Sequence, residues 1–304
     1  MADQVLFDEK TRRKLEQLML NASTVRSGAI KGERRSTKRG TSIEFADYRN
    51  YAPGDDLRRL DWNIYARLDR PLTKLYEDEE DLAVHLLLDT SASMDWGGDG
   101  PREARPELHK FDYARRLIAG LGFVSLSTND RLVIAALTDG NHLHQFGPAR
   151  GRGYGVRLLH FVNDLQPRGI VDLNAALRDY ALRTTRPGLV LLVSDMFSPS
   201  GYMDGINALL GKGSEVGIVH VLAPDEIEPP LGGDLRLIDV ETGTAQEVSI
   251  DDAMRHLYVQ RVQAWRDAIR ADCVRRGVHY LPIETSYAWE KLILYDLRKL
   301  GVVK

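Results

Sequence analysis

The chain has 304 residues, of which 43% are hydrophobic and 28% charged, and its formal net charge at pH 7 is -3. These values are typical of a soluble globular protein with one large domain or two modest ones. The small net charge gives no general attraction to nucleic acid or to an anionic membrane. No apolar run approaches the ~18 residues that a membrane span needs, and the single cysteine, Cys273, excludes an intrachain disulfide framework. We therefore expect a cytoplasmic protein without a membrane span.

The first part of the chain differs in composition from the rest. Apolar residues at helical spacing predict a short amphipathic helix at about 7–21. Residues 22–81 have few long apolar runs and many turn residues, with a basic stretch at 26–39 and five consecutive acids at 77–81. We expect these two charged runs to lie near each other, because neither is compensated locally. Residues 1–81 are therefore predicted to form an N-terminal extension that packs on the following domain.

From residue 82 onward, apolar strands alternate with amphipathic helices. This pattern is typical of an α/β fold with a doubly wound, mostly parallel sheet, and we assign residues 82–304 to one such domain. Strands are predicted at 82–89, 131–137, 189–195, 215–222 and 278–283. Helices are predicted near 111–127, 154–164, 173–184, 202–211, 251–276 and 289–300. A short edge strand is expected at 141–146, and a surface hairpin is expected from 235–240 and 245–248.

Two of the predicted strands end in an aspartate. The first strand stays apolar until Asp89, after which Ser91 and Ser93 follow, and the strand at 189–195 ends in the same way at Asp195. Ligands of open α/β sheets bind at the carboxyl ends of the strands. A carboxylate with two hydroxyl groups suits a hard cation such as Mg²⁺. The alternative is that both aspartates only cap the helices or turns that follow.

The run Asp89–Met94, with the sequence Asp-Thr-Ser-Ala-Ser-Met, resembles the metal-ion-dependent adhesion site of von Willebrand factor A domains. The resemblance implies that Asp89, the two serines and Asp195 hold a weakly bound Mg²⁺, Mn²⁺ or Ca²⁺. It also implies that an Asp or Glu carboxylate of a protein partner completes the coordination. Val171 stands where these domains carry a threonine ligand, and valine has the shape of threonine without its hydroxyl group. Water or Asp172 is expected to fill this gap.

A second series of motifs precedes the first strand and resembles the bacterial family called domain of unknown function 58. The series consists of Glu44-Phe45, Arg49-Asn50-Tyr51-Ala52-Pro53-Gly54-Asp55-Asp56, Arg58, Asp61-Trp62 and Ala66-Arg67. The resemblance is close over about residues 30–200 and implies a short, soluble member of the family. Genes of this family tend to lie beside those of MoxR-type AAA+ ATPases. The resemblance therefore implies such an ATPase as a partner in assembly or chaperone-like work.

The residues of this series allow two interpretations. Its aspartates and arginines lie close together in sequence, so that they can form an internal ion-pair network that braces the extension. Alternatively, the series forms a surface that docks a partner, for which Asp55, Asp56, Arg58 and Trp62 are the candidate residues.

We expect the protein to be a non-enzymatic protein-interaction module. The sequence has no Gly-x-Ser-x-Gly elbow and pairs no nucleophile with a base. The basic stretch at 26–39 lacks interleaved aromatic residues, so nucleic acid is not expected as a partner. Two alternatives stay open. One is a metal-assisted hydrolase that uses the same acids, and the other is a metal-free scaffold, which Val171 favours.

Overall fold

The structure, a computed structural model, describes residues 6, 8–22, 45–53, 55–76, 82–97, 108–138, 144–230, 232–238 and 245–304. The chain forms two compact units, which we call the small unit (Gly32–Asp81) and the large unit (Met1–Lys31 together with Leu82–Lys304). The predicted charged runs at 26–39 and 77–81, and their expected proximity, lie outside the described residues. Within the described ranges, no helix combines the length and apolar character that crossing a bilayer requires.

The N-terminal helix belongs to the large unit, whereas the sequence suggested that it belongs to the extension. Helix α1 (Glu9–Leu15) ends in Leu15, which is fully buried in the core of the large unit. The Met19 N–H then donates to the Lys304 carbonyl over 3.0 Å, and the Lys304 N–H donates to the Met19 carbonyl over 2.7 Å. The predicted extension of residues 1–81 is therefore divided between the two units, because its first segment pairs with the far end of the chain.

The small unit contains regular structure where the sequence indicated mainly turns. Strand β1 (Phe45–Asn50) pairs antiparallel with β2 (Leu72–Tyr76). A 3-10 turn at Leu57–Arg59 and helix α2 (Trp62–Leu68) connect the two strands. The buried Asp61 carboxylate begins α2 by accepting two hydrogen bonds from backbone N–H groups of its first turn.

The large unit is built around a six-stranded sheet. In spatial order its strands are β10 (His279–Glu284), β7 (Glu215–Leu222), β6 (Leu189–Ser194), β3 (Ala83–Asp89), β4 (Arg131–Leu137) and β5 (His144–Ala149). The first five strands run parallel to their neighbours, and only the edge strand β5 is antiparallel. The fold is therefore mixed α/β with a mostly parallel sheet, in agreement with the alternation of elements in the sequence.

Helices cover both faces of this sheet. They are α3 (Lys110–Ser127), α4 (Gly155–Asp164), α5 (Leu173–Arg183), α6 (Met203–Gly211), α7 (Pro224–Ile227), α8 (Asp252–Arg276), α9 (Trp289–Lys291) and α10 (Leu297–Lys299). A π-helical turn at Leu292–Asp296 separates the last two, where the sequence predicted one continuous helix. A hairpin of β8 (Gly233–Ile238) and β9 (Ala245–Ile250) precedes α8.

Strand β3 lies at the centre of the sheet, and its side chains enter two separate cores. Leu86 and Leu88 pack with α1, α3 and α4 on one face, whereas Leu87 packs with α5, α6 and α8 on the other. Successive side chains of a strand point to opposite faces, so a strand covered on both faces is apolar throughout. All seven residues of β3 are buried. The strand therefore runs through the core over its whole length, up to Asp89 at its end.

Candidate functional site

The structure brings Asp89 and Asp195 to the same edge of the sheet. Asp89 is the last residue of β3, and Asp195 directly follows β6, its parallel neighbour. We call this side of the sheet, where the parallel strands end, the carboxyl edge. Both side chains are buried, with exposed fractions of 2% for Asp89 and 0% for Asp195. Burial, and then the negative charge of Asp195, raise the pKa of Asp89 to about 6.

The two serines of the adhesion-type motif lie beside Asp89. The Ser91 N–H donates to Asp89 Oδ1 over 2.9 Å, and the hydroxyl groups of Ser91 and Ser93 are 2.9 Å apart. Ser194, which the sequence analysis did not select, donates its hydroxyl to Asp89 Oδ2 over 2.6 Å. A polar residue that ends an apolar strand one position before Asp195 is the signal that could have identified it.

Three loops surround these acids and are joined to one another. We name them the first loop (residues 90–97), the second loop (165–172) and the third loop (195–202). The Arg168 N–H donates to the Thr90 carbonyl over 2.7 Å, and the Ala92 N–H donates to the Gly169 carbonyl over 2.8 Å. These bonds connect the first loop to the second. Since backbone groups form them, the connection does not depend on flexible side chains.

Asp172 connects the second loop to the third and acts as a helix cap. Its carboxylate is exposed, and Oδ1 accepts hydrogen bonds from the Ser200 hydroxyl at 2.6 Å and from the Ala175 N–H at 2.9 Å. These two bonds lower the pKa of Asp172. The neighbouring Val171 is 2% exposed and packs in the core formed with α5 and α6. The residue expected to fill the threonine gap is therefore engaged in capping α5.

A lysine that the sequence analysis did not single out lies at the carboxyl edge beside Asp195. Lys110 begins α3 and is fully buried. Its ammonium donates to Asp195 Oδ2 over 2.7 Å and to Glu226 Oε1 of α7 over 2.7 Å. Burial alone would lower the pKa of Lys110, but the charges of Asp195 and Glu226 outweigh it and raise the pKa. Lys110 is therefore a buried cation held between two carboxylates.

Aromatic rings enclose this ion pair. The Phe197 ring lies 5.3 Å from Lys110 Nζ and stacks on Trp265 at a centroid distance of 5.2 Å. His220, on β7, contacts Trp265 edge-on, and its Nδ1 is 2.7 Å from the Tyr280 hydroxyl. Burial lowers the pKa of His220 to about 3. His220 is therefore neutral at physiological pH, and it adds no second positive charge near Asp195.

The side chains at this edge do not fit a tightly held divalent cation. Asp89 accepts a hydrogen bond at each carboxylate oxygen, and so does Asp195, where one donor carries a full positive charge. Val171 offers no oxygen from its side chain, and Asp172 caps a helix. Among the residues that the structure describes, no group of three or more His, Cys, Asp or Glu side chains is placed to hold a metal ion. The Mg²⁺ site stays a prediction, against which the Lys110 ion pair argues.

Each of the three loops exposes one large apolar side chain. Trp96 on the first loop is 50% exposed, Ile170 on the second is 41% exposed, and Phe197 on the third is 41% exposed. The second loop also exposes Arg168. The carboxyl edge therefore combines a buried polar centre with apolar groups that solvent can reach.

In the small unit, two of the four predicted partner-binding residues use their carboxylates in hydrogen bonds within the unit. Asp55 accepts a hydrogen bond from the Arg49 guanidinium at 2.7 Å and another from the Ala52 N–H at 2.9 Å. Asp56 caps the 3-10 turn by accepting from the Arg58 N–H at 3.0 Å. The Arg58 side chain itself is exposed. The ion pair between Arg49 and Asp55 is one that the bracing interpretation expected.

The fourth predicted residue, Trp62, lies on an exposed apolar surface. Trp62 is 58% exposed and contacts Tyr65 edge-on, with ring centroids 6.2 Å apart. Leu57 and Leu68 are exposed by 55% and 64%. We call these four residues the apolar surface of the small unit.

Asp61 supports this surface from inside the small unit. Its carboxylate accepts hydrogen bonds from the Lys74 ammonium and the Tyr48 hydroxyl, both at 3.0 Å. The bond from Lys74, followed by those from the first turn of α2, lowers the pKa of Asp61 to about 2. Asp61 thus stays ionised and keeps α2 attached to β2.

This chain is similar to other proteins over most of its length. A family model described as "Protein of unknown function DUF58" matches residues 47–268. Uncharacterized protein Mb1516 of Mycobacterium bovis and uncharacterized protein Rv1480 of Mycobacterium tuberculosis are each 28% identical to it over 285 residues, which cover 93% of this chain and 87% of theirs.

Two solved structures are also similar to this chain. The conserved hypothetical protein BatB from Bacteroides thetaiotaomicron has a TM-score of 0.43 at 15% identity, covering 72% of this chain and 98% of that one. An aerotolerance-related membrane protein from Bacteroides fragilis has a TM-score of 0.42 at 16% identity, covering 72% of this chain and 99% of that one. At these scores neither structure supports an inference about this chain.

Proposed function

The chain belongs to the DUF58 family of proteins of unknown function, and on that premise we propose that it is a non-enzymatic protein-interaction module whose large unit is von Willebrand factor A-like. It binds its partner at the carboxyl edge, through the three loops. The observation that carries this proposal is the exposure of one large apolar side chain on each of three mutually bonded loops, namely Trp96, Ile170 and Phe197.

The loops suit a binding surface because they are ordered before a partner arrives. Hydrogen bonds join the first loop to the second, and the Ser200 hydroxyl on Asp172 joins the second to the third. Preorganised loops lose less conformational entropy on binding. Exposed apolar groups surrounded by polar ones are typical of interaction sites, and tryptophan is among the residues that contribute most to interfaces.

The sheet supports the von Willebrand factor A-like assignment. The central strand β3 leads into the Asp-x-Ser-x-Ser sequence, and its neighbour β6 leads into Asp195, so that the loops of such a site lie at one edge. We further propose a short, soluble member of the family that acts in the cytoplasm. The single, buried Cys273 supports this, because reducing compartments favour proteins without disulfides.

An enzymatic role is less consistent with the chemistry of the carboxyl edge. Lys110 is held as a cation between two carboxylates, so it has no lone pair to act as a base. The hydroxyl groups of Ser91 and Ser93 bond to each other. A metal-assisted hydrolase using the same acids is the alternative, and the positive charge beside Asp195 disfavours it because it repels a metal ion.

As the partner we propose a MoxR-type AAA+ ATPase, which the gene neighbourhood of the family implies, in assembly or chaperone-like activity. An Asp or Glu carboxylate of the partner can meet the exposed Arg168 on the second loop. A guanidinium binds a carboxylate through two parallel hydrogen bonds, so that this contact needs no bridging metal.

A pull-down of the purified ATPase, without nucleotide and in either EDTA or Mg²⁺, tests the proposal. Trp96→Ala and Ile170→Ala each remove an exposed side chain of the carboxyl edge and should weaken capture tenfold or more in both buffers. Leu182→Ala is the matched control, since Leu182 lies on α5 and is 75% exposed. Equal capture by all three variants would exclude the carboxyl edge as the binding surface.

A further inference from the structure

The carboxyl edge contains a positive charge that the chain itself supplies. We infer that the Lys110 ammonium takes the place of the divalent cation of an adhesion-type site as the counter-ion of Asp195, so that this edge is ordered without a metal ion. The inference concerns the site of the proposed function, but it does not depend on which partner binds there.

The contacts of Lys110 are those of an internal counter-ion. Its ammonium lies 2.7 Å from a carboxylate oxygen of Asp195 and 2.7 Å from one of Glu226. The side chains of Lys110 and Asp195 are both 0% exposed. A charge is stable at such depth only when it is paired and hydrogen-bonded. Because Lys110 and Asp195 are inaccessible to solvent and the Glu226 side chain is only 14% exposed, the pairing is built into the fold.

Lys110 also connects the same segments that a bound cation would connect. Its backbone N–H donates to the Trp96 carbonyl of the first loop over 2.8 Å. Its side chain reaches Asp195, the first residue of the third loop, and Glu226 of α7. One residue therefore ties the first loop to the third, next to the apolar groups that we propose for binding.

The carboxylate oxygens of Asp195 and Asp89 already accept hydrogen bonds, which makes them poor ligands for a metal ion. The second oxygen of Asp195 accepts the Phe197 N–H at 3.0 Å, and both oxygens of Asp89 have protein donors. A divalent ion that shared Asp195 would lie close to the ammonium inside a low-dielectric region, where like charges repel strongly. Val171 removes one ligand of the adhesion-type set, which is consistent with a site that has no metal to coordinate.

The first experiment uses the unmodified protein. We expect its Tm to differ by less than about 1 °C between EDTA and millimolar Mg²⁺, Mn²⁺ or Ca²⁺, because a ligand that does not bind the folded state cannot stabilise it. Calorimetric titration with the same ions should show no binding at millimolar concentration. A dissociation constant below 1 mM that Asp89→Ala abolishes would overturn the inference.

The second experiment removes the ammonium. Lys110→Met leaves Asp195 and Glu226 without their cation, and the Tm in EDTA should fall by roughly 5–10 °C. Millimolar Mg²⁺ or Mn²⁺ should then restore part of the loss, since the unpaired carboxylates become available to a metal ion. The additional change Asp195→Asn should abolish this response.

Matched variants distinguish this role from a general effect of losing a lysine. Lys212→Met removes the same charge from an exposed position and should change neither the Tm nor the response to metal. Lys110→Arg keeps the charge, so its Tm should not change when Mg²⁺ or Mn²⁺ is added. This variant provides a result even if Lys110→Met does not fold. Metal stabilisation of the arginine variant, or equal stability of the two methionine variants, would contradict the inference. None of these measurements involves the partner, so a failed pull-down leaves them unaffected.

Discussion

Asp89 and Asp195 end neighbouring strands in the same way, yet they have different partners. Asp89 accepts hydrogen bonds from neutral donors, the Ser91 N–H and the Ser194 hydroxyl, whereas Asp195 accepts from the Lys110 ammonium. In a buried region, a neutral donor compensates a carboxylate charge much less than a cation does. Burial, and then the charge of Asp195, raise the pKa of Asp89 to about 6, and the bonds from its neutral donors offset this only in part.

A buried histidine away from the candidate site should make the protein sensitive to mild acid. His85 on β3 is 5% exposed, its Nδ1 is 2.7 Å from the Tyr180 hydroxyl, and its Nε2 is 3.2 Å from the Arg186 carbonyl. Burial lowers its pKa from 6.5 to about 4. The unfolded chain therefore binds a proton more readily than the folded one, and the stability is fully present above pH 6.5 and declines between 6.5 and 4.

The prediction is that the free energy of unfolding falls by about 2 kcal/mol between pH 7.5 and pH 5 through this residue alone. Urea denaturation of the unmodified protein and of His85→Gln at both pH values measures this effect. The change in the free energy of unfolding between pH 7.5 and pH 5 should be about 2 kcal/mol larger in the unmodified protein than in the variant. His160→Gln, at an exposed position on α4, should retain the full pH dependence. An unchanged pH dependence in His85→Gln would show that His85 does not titrate in this way.

At the scale of elements, the first helix lies in a different part of the molecule from the one that the sequence predicted. Helix α1 contributes Leu15 to the core of the large unit, and the following segment buries Leu20 and pairs with the C-terminal residues. An isolated helix of this length is unstable in water. It therefore forms because the large unit offers an apolar surface and a backbone partner at the end of the chain.

We expect Leu15→Ala to lower the free energy of unfolding of the large unit by about 2–5 kcal/mol, because it leaves a cavity beside α3. Met19→Ala serves as the control, since Met19 is 44% exposed and should cost little. Chemical denaturation followed by circular dichroism measures both. Equal stability of the two variants would mean that α1 does not belong to the core of the large unit.

At the scale of the whole molecule, exposed apolar groups occur on both units. The large unit carries them on its three loops, and the small unit carries the apolar surface around Trp62 and Leu68. In the small unit, charged residues of the family motif such as Asp55 and Asp61 are engaged in internal contacts. We therefore expect the bracing interpretation and the docking interpretation to apply to different residues of the same motif.

If both units bind one ATPase, Trp62→Ala and Trp96→Ala should each weaken its capture, and the double variant should lose the sum of the two binding free energies. The sum is the result expected of two side chains that contribute to binding independently. Unfolding of each single variant should match that of the unmodified protein, since both tryptophans are at least half exposed. A double variant no weaker than Trp96→Ala would leave the small unit without a part in binding.

The central sheet could be predicted from the sequence because its information is local. A strand covered on both faces is a continuous apolar run, and β3, β4 and β7 were predicted close to their observed ends. The strands of the small unit escaped prediction because polar residues such as Arg49 and Lys74 interrupt any apolar pattern. The π-helical turn at Leu292–Asp296 was missed because its sequence has an ordinary helical pattern.

The sequence by itself determined that Asp89 and Asp195 end apolar strands and that residue 171 is a valine, without a side-chain oxygen. It determined these points because strand ends and residue types can be identified within a few positions. Only the tertiary structure decided that Lys110 neutralises Asp195, 85 positions away, together with Glu226, 116 positions away. Charge pairing depends on distance in space, and no local sequence pattern distinguishes a lysine that will be buried from one that will be exposed to solvent.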